Sequence, residues 1–372
     1  MNRAILITGG AGFVGSHLAD ALLAAGHRVR IFDNLTHQVH GEGCPDYLSP
    51  EAELVCGDIR DAEAVRQALE DIDTVFHLAA AVGVGQSMYQ IAHYVSVNIE
   101  GTAVLLQELL NRRSRVQKLV LASSMSVYGE GKYVCSSCGP IMPGLRLPER
   151  IHQKQWEQLC PGCGRTLAPA PTDESKSLQC SSVYSLSKRN QEEMCLLFSR
   201  TYGLPVVALR YFNIYGPRQA LSNPYTGVAA NFAARLLNGN APLVFEDGRQ
   251  MRDFVSVEDA VRASLMAMES CQADGRPVNV GSGKPVSIRE VAVTLAHALN
   301  SEISPELTGK HRSGDVRHCF ADISVAKKLM GYQPLVDFAG GVRRLVNWLQ
   351  WQQPQDRAAE AVAQLRSFGL TA

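Results

Sequence analysis

The sequence predicts an α/β protein: a doubly wound parallel sheet, a smaller α+β lobe after it, and a separately folded insertion between them. Three observations predict this. Short apolar runs alternate with helical periods from Ala4 to Ala122. A glycine-rich turn, Gly9–Gly15, joins the first run to the first helical period. Residues 131–175 then break the pattern, carrying 6 of the 17 prolines and 4 of the 10 cysteines. The expected units are 1–130 with 176–210 for the sheet domain, 131–175 for the insertion and 211–354 mainly for the second lobe. Some segments of that lobe return to the sheet, and 355–372 forms a C-terminal helix with a polar face.

Ala4–Thr8 is short, rich in Ile and Leu and stopped by glycines, as a buried strand is. Gly12–Ala25 places Phe13, Leu18, Leu22 and Leu23 at helical spacing and stops at Gly26, a residue suited to a left-handed helix end. Val29–Phe32, Leu54–Cys56, Thr74–Leu78 and Lys118–Ala122 repeat the strand pattern, with helices near Ala62–Leu69 and Gly101–Asn111 between them. Such alternation gives a parallel sheet covered on both faces. A structureless loop as long as 131–175 is unusual inside a compact domain, so that stretch reads as an insertion with its own fold. Tyr184–Tyr202 is strongly helical, and Val206–Leu209 returns to the strand pattern.

Composition removes several classes of function. The chain has 372 residues, 46% of them hydrophobic, with 36 basic side chains against 36 acidic. That apolar content excludes disorder, and zero net charge argues against a nucleic-acid partner. No apolar run approaches the ~18–20 residues of a membrane span. The apolar start runs straight into the glycine turn instead of a cleavage site, so a cytoplasmic location with reduced thiols is expected.

In Gly9-Gly10-Ala11-Gly12-Phe13-Val14-Gly15, Gly9 allows the tight turn, Gly12 lets backbone approach a pyrophosphate, and Gly15 permits close helix–strand packing. The helix start offers N–H groups to that anion. Asp33 ends the next strand, where a carboxylate meets a ribose 2′-hydroxyl and repels a 2′-phosphate, which favours NAD over NADP. Tyr184 and Lys188 lie four apart on one helix face, and Ser123 and Ser124 end a strand at the carboxyl edge of the sheet. A phenol is a poor base until neighbouring positive charge favours its anion, and a serine can bond both the phenol and a sugar hydroxyl. His17 and His77 have no role in this chemistry.

Thr8–Gly15, Asp33-Asn34-Leu35, Gly57-Asp58-Ile59, His77–Ala80, Ser123–Gly129, Tyr184–Lys188 and Arg210–Arg218 together resemble the extended short-chain dehydrogenase/reductase family, and within it the nucleotide-sugar epimerases. The resemblance implies a Rossmann-type fold and NAD held by Gly9, Gly12, Phe13, Val14, Gly15, Asp33, Asn34, Asp58, Ile59, Ala79, Ala80, Asn98, Ser123, Tyr184, Lys188 and Tyr211. It implies Ser124, Tyr184 and Lys188 as the catalytic group. Gln86, Ser87, Ser124, Tyr184, Asn213, Arg252 and Arg317 would hold a nucleotide-sugar substrate, the arginines because a guanidinium forks onto phosphate oxygens. It also implies a homodimer through the helices near Gly101–Asn111 and Tyr184–Tyr202. Dehydratases of the family carry acids just after the strand-end serine; Met125 and Ser126 stand there and cannot serve. The reaction implied is C4 epimerisation through a 4-keto sugar. A keto-sugar reductase would instead consume free NADH, and a cofactor-sensing binding protein would show a degraded Ser–Tyr–Lys set.

Cys135-Ser136-Ser137-Cys138-Gly139 and Cys160-Pro161-Gly162-Cys163-Gly164 form two knuckles 21 residues apart. Four thiolates so arranged fit a tetrahedral structural zinc with no open position, one residue beyond the usual ribbon spacing; disulfides and a thiol switch are the alternatives. The insertion separates Ser124 from Tyr184, so it is expected to shape or cover the substrate pocket or to add to a dimer contact. Its segment Leu145–Gln158 is basic, with Arg146, Arg150 and Lys154, as a contact to a phosphorylated ligand would be. Together with Ala79–Met88 it resembles the zinc-ribbon-containing bacterial dTDP-L-rhamnose 4-epimerases. UDP-hexose enzymes of the galactose type usually carry a lysine near Val82, which is absent here, and an apolar strip there would accept a 6-deoxy methyl group.

Overall fold

Seven parallel strands form the central sheet of the computed structural model, which describes residues 2–111 and 115–371. Residues 1, 112–114 and 372, all inside the expected units, lie outside the described residues. The strand order is Arg276–Val280, Val206–Tyr211, Lys118–Ser124, Thr74–His77, Ala4–Thr8, Arg28–Asp33, Glu53–Cys56. From Ala4–Thr8 the chain first winds to one side, then crosses to the other. The crevice at the carboxyl ends of Ala4–Thr8 and Thr74–His77 is therefore the switch point where such sheets bind ligands.

Burial follows position. Ala4–Thr8 and Thr74–His77 are buried throughout, because helices cover both faces. Glu53–Cys56, at the sheet edge, has no fully buried residue. One apolar cluster fills the side of Leu18, Leu22, Val257 and Ala260; another fills the side of Leu105, Leu109, Leu196 and Phe198.

The helix Val183–Tyr202 begins at a capping box in which Ser182 and Ser185 exchange hydrogen bonds, and it ends at Gly203 in the left-handed conformation (φ 78°). That start fixes Tyr184 in the first turn and Lys188 one turn later. Ahead of Gly101–Asn111 the chain is already helical, with a wider turn at Val95–Glu100 that the sequence pattern does not announce.

Beyond the sheet, Asn213–Tyr215 and Met251–Ser256 pair in parallel, and Pro285–Ser287 and His318–Cys319 add to Met251–Ser256. The insertion forms its own antiparallel sheet of Gly139–Ile141, Lys132–Cys135 and Ala168–Ala170, around a small core of Tyr133, Cys135, Cys160 and Leu167. Ala358–Ser367 is helical.

Candidate active site

A cavity of about 660 Å³ runs from the glycine turn, past Tyr184, to Arg252 and Arg312. At the first end, Gly9 has φ +69°, and a Cβ there would stand 2.7 Å from the Ala79 nitrogen. A Cβ on Gly15 would stand 2.4 Å from the Gly9 carbonyl oxygen. No side chain caps the helix Phe13–Ala24, so its first N–H groups stay free for an anion. Asp33 accepts hydrogen bonds from the Ala11 and Leu35 nitrogens at 3.1 and 2.9 Å and borders the cavity. This cradle fits a dinucleotide. Gly12, Phe13, Val14, Asn34, Ile59, Ala79 and Ala80 line it as well.

Two expected cofactor contacts lie outside the lining. Asn98 is fully buried and spends its amide on both backbone groups of Ala81 and on Ser187 Oγ, so it shapes the Ala79–Ala81 wall from behind. The Asp58 carboxylate accepts from Arg60 and Asn34; those hydrogen bonds, against the opposing effect of burial, hold it at about 2. Ser123 lines the cavity, but its hydroxyl donates to Glu192 at 2.6 Å, away from any ligand. The Tyr211 ring also lines it, its hydroxyl bonded to Ser264 at 2.6 Å.

At the centre, Ser124, Tyr184 and Lys188 come together as the sequence expects. Burial raises the Tyr184 phenol, and its hydrogen bond with Ser124 pulls the other way. Burial pushes the Lys188 ammonium down to about 8; it donates to the Ala122 carbonyl at 2.7 Å and to Gln191 at 2.9 Å. Ser87 does not line the cavity. Its Oγ accepts the Tyr184 N–H at 3.0 Å and donates to the Val84 carbonyl, so it sets the helix start, whereas Gln86 does face the space. His77 is sealed between Thr8 and Thr102, and burial, with Lys188 nearby, lowers it to about 3. His17 bonds the Pro217 carbonyl.

The third region corrects the sequence reading. Arg317 does not reach the cavity: it is fully buried and hydrogen-bonded to Glu157, Glu246 and Asp247 at 2.6–3.1 Å. The guanidinium that faces the space in its place is Arg312, forked onto Asp315 at 2.9 and 3.0 Å. Gly314, with φ +89°, makes the turn between them, so an Arg and an Asp three apart across a glycine was the available signal. Arg252 lines the cavity as expected, held by the carbonyls of Met251, Val316 and Arg317. The basic segment of the insertion offers no free cation from Arg146, which pairs with Glu130 and Glu246 at 3.2 and 2.8 Å and donates to the Asp315 carbonyl. Glu157, held at about 2 by His318 and Arg317 despite burial, completes the link from insertion to second lobe.

Among the described residues, four buried polar atoms around the cavity have no hydrogen-bond partner: His40 Nδ1, Ser126 Oγ, Asn213 Oδ1 and Gln250 Oε1. Buried polar groups are normally paired, so these mark where ligand atoms belong. Sequence reasoning missed His40, and it missed Gln38, whose amide pairs reciprocally with Gln86 at 3.1 Å and reaches Asn223 across the cavity.

In the insertion, the sulfurs of Cys135, Cys138, Cys160 and Cys163 lie within 4.8 Å of one another. Tetrahedral ligands ~2.3 Å from one zinc would stand ~3.8 Å apart, so the set fits that ion. Gly139 and Gly164 carry φ of +80° and +71°, and the Ser137 and Cys138 N–H groups bond to Cys135, pushing its thiol down to about 6.

The model of the NAD dependent epimerase/dehydratase family matches residues 5–141 and 162–281. The chain is 33% identical over 350 residues to a dTDP-L-rhamnose 4-epimerase of Burkholderia thailandensis, covering 93% of this chain and 95% of that protein. It resembles the crystal structure of UDP-glucose 4-epimerase with UDP-glucose from Thermotoga maritima, with TM-score 0.77, 31% identity, and 93% and 98% of the two chains covered. It also resembles the UDP-glucuronic acid 4-epimerase of Bacillus cereus in complex with UDP-glucuronic acid and NAD, with TM-score 0.77, 26% identity, and 93% and 99% covered.

Proposed function

The chain belongs to the NAD-dependent epimerase/dehydratase family and is an NAD-dependent nucleotide-sugar 4-epimerase; on that premise we propose that its substrate is a dTDP-activated 6-deoxyhexose such as dTDP-L-rhamnose. One observation carries the choice of epimerisation within the family. Among the described residues, the carboxylates lining the cavity are Asp33, at the cofactor turn, and Asp315, beside Arg312; none stands next to Tyr184. Met125 packs into an apolar cluster and Ser126 carries only a hydroxyl, so no acid is placed to drive an elimination.

Tyr184 Oη takes the proton of the C4 hydroxyl, with Ser124 Oγ, bonded to the phenol, available to the same sugar oxygen. Lys188, cationic at neutral pH, stands one helical turn on and favours the phenolate. NAD, when bound, supplies the hydride acceptor and donor and, oxidised, a further positive charge. Arg252, Arg312 and Asn213 hold the diphosphate while the 4-keto ring turns its other face, after which Tyr184 returns the proton. The proposal also takes Cys135, Cys138, Cys160 and Cys163 to hold a structural zinc that cross-links the insertion. It includes a homodimer through Gly101–Asn111 and Val183–Tyr202, which expose Leu110, Leu186 and Leu197, and a cytoplasmic location.

The test is incubation with UDP-, dTDP-, GDP- and CDP-sugars without added cofactor, followed by NMR. Inversion of C4 in dTDP-6-deoxyhexoses is expected. Inversion of UDP-hexoses alone would favour a UDP-sugar substrate, as the likeness to the Thermotoga maritima enzyme suggests, and consumption of added NADH in proportion to product would make the protein a reductase. Tyr184→Phe should keep NAD and lose about 10²–10⁴ in rate.

A further inference from the structure

The helix Ala358–Ser367 takes no part in the chemistry above, yet its apolar face closes the cavity. Ala358, Ala361, Val362 and Leu365 line it, and Leu365 is only 2% exposed. Leu365 rests on Gly85, where a Cβ would stand 3.1 Å from its Cδ2. Gln86 and Ser87 follow at once and lead to the Tyr184 N–H.

The helix is fastened along its length. Before it, the Gln355 nitrogen donates to Ser222, and Asp356 accepts from Arg235 and Asn240. Within it, Gln364 accepts from the Tyr89 and Tyr225 hydroxyls at 3.2 and 2.9 Å. After it, Phe368 stacks on Tyr89 at 4.9 Å, the Ser313 nitrogen donates to the Leu370 carbonyl, and Arg312 bridges to Thr371. The segment thus runs from the phosphate-facing Arg312 to Gly85 beside the reaction centre. With the diphosphate at Arg312 and C4 at Tyr184, as proposed above, the hexose lies along that stretch.

This wall presents Ala361, Val362 and Leu365, while polar groups around it are already paired: Gln364, Tyr89 and Tyr225 with one another, and the Gln86 amide with Gln38 and Tyr94. A hexose carries one carbon off its ring, at C5. A hydroxymethyl against this face would bury an unpaired O–H, a carboxylate would cost more, and a methyl loses nothing. A surface without directional partners also lets the keto ring turn over, which inversion at C4 requires. We infer that the C-terminal helix is a specificity element: Ala361, Val362 and Leu365 seat the C5 substituent and select a 6-deoxy sugar. The inference rests on the 4-epimerase reading and its dTDP-sugar substrate.

The test measures binding to the Tyr184→Phe protein, which cannot turn substrate over. The probes are dTDP-L-rhamnose and dTDP-L-mannose, which differ by one oxygen at C6, with dTDP alone as the reference. A preference for the deoxy sugar of about 10–100-fold is expected, the range a hydrophobic pocket achieves against an added hydroxyl. Val362→Ser should narrow that ratio several-fold and leave dTDP binding unchanged; Ala361→Ser is the milder second variant. An unmoved ratio in both, or dTDP affinity falling in step with that of the sugars, overturns the inference. Discrimination by this protein alongside a wild type that inverts neither sugar would instead remove the epimerase reading and leave the wall standing.

Discussion

The two ends of one cavity are made of different material. At the cofactor end the work falls to backbone: Gly9, Gly12 and Gly15, uncapped N–H groups, and one carboxylate on the neighbouring strand. At the other end, where the diphosphate is proposed to bind, it falls to two guanidinium groups, and a guanidinium needs a scaffold to hold it. Arg312 has Asp315; Arg252 has the carbonyls of Val316 and Arg317; and Arg317 is locked by Glu157 from the insertion and by Glu246 and Asp247 from the second lobe. A backbone site is complete within one strand–turn–helix unit, whereas a charged site draws on segments far apart in the chain. The Cys-rich insertion supplies two members of that scaffold, Arg146 and Glu157.

The comparison is most exposed at Arg317. Arg317→Ala removes the cation shared by Glu157, Glu246 and Asp247, leaving buried Glu246 to Arg146 and His311, and should cost about 1.5–3 kcal/mol of stability in denaturant titration, the range of a lost hydrogen bond to a charged group. Unchanged stability with a loss of nucleotide affinity alone would return Arg317 to the phosphate. Arg312→Ala should do the reverse. Losing a charge-assisted bond of about 1.5–3 kcal/mol raises KM for the nucleotide sugar tenfold or more and leaves the denaturation midpoint where it was. Stripping the proposed zinc from the four cysteines with a chelator should loosen Glu157 and Arg146 and raise KM several-fold, or about 1 kcal/mol, with bound NAD retained. An unaltered KM would uncouple insertion from site.

The smallest effect belongs to the cofactor half. His77 stays neutral in the folded protein down to about pH 3, because burial disfavours its charged form, while in the unfolded chain it takes up a proton near the ordinary histidine value of about 6.5. The unfolded state therefore binds the extra proton, and stability falls as pH drops through 6.5 toward 3. Between pH 6.5 and 5.5 the loss should be about 1 kcal/mol, and His77→Asn should flatten it in thermal melts at those two values.

The sequence by itself determined what adjacent residues build. Ala4–Thr8, the glycine turn, Asp33 at its strand end, and Tyr184 with Lys188 one turn apart were all legible, because each rests on backbone conformation or helical spacing within a short window. The two Cys-x-x-Cys knuckles were legible for the same reason, and Gly139 and Gly164 after them prove left-handed. Only the tertiary structure decided which arginine faces the cavity. Arg312 and Arg317 stand five positions apart near Gly314 with equal charge, and the choice turns on Glu157, Glu246 and Asp247, brought up from other parts of the chain to neutralise one of them. Ser87, Asn98 and Asp58 went the same way, each claimed by a partner that sequence spacing does not reveal. The C-terminal helix is the extreme case. Its alanines and leucine read as an ordinary amphipathic face until packing lays them over Gly85, because burial against a distant surface is a property of the folded chain and leaves no local mark.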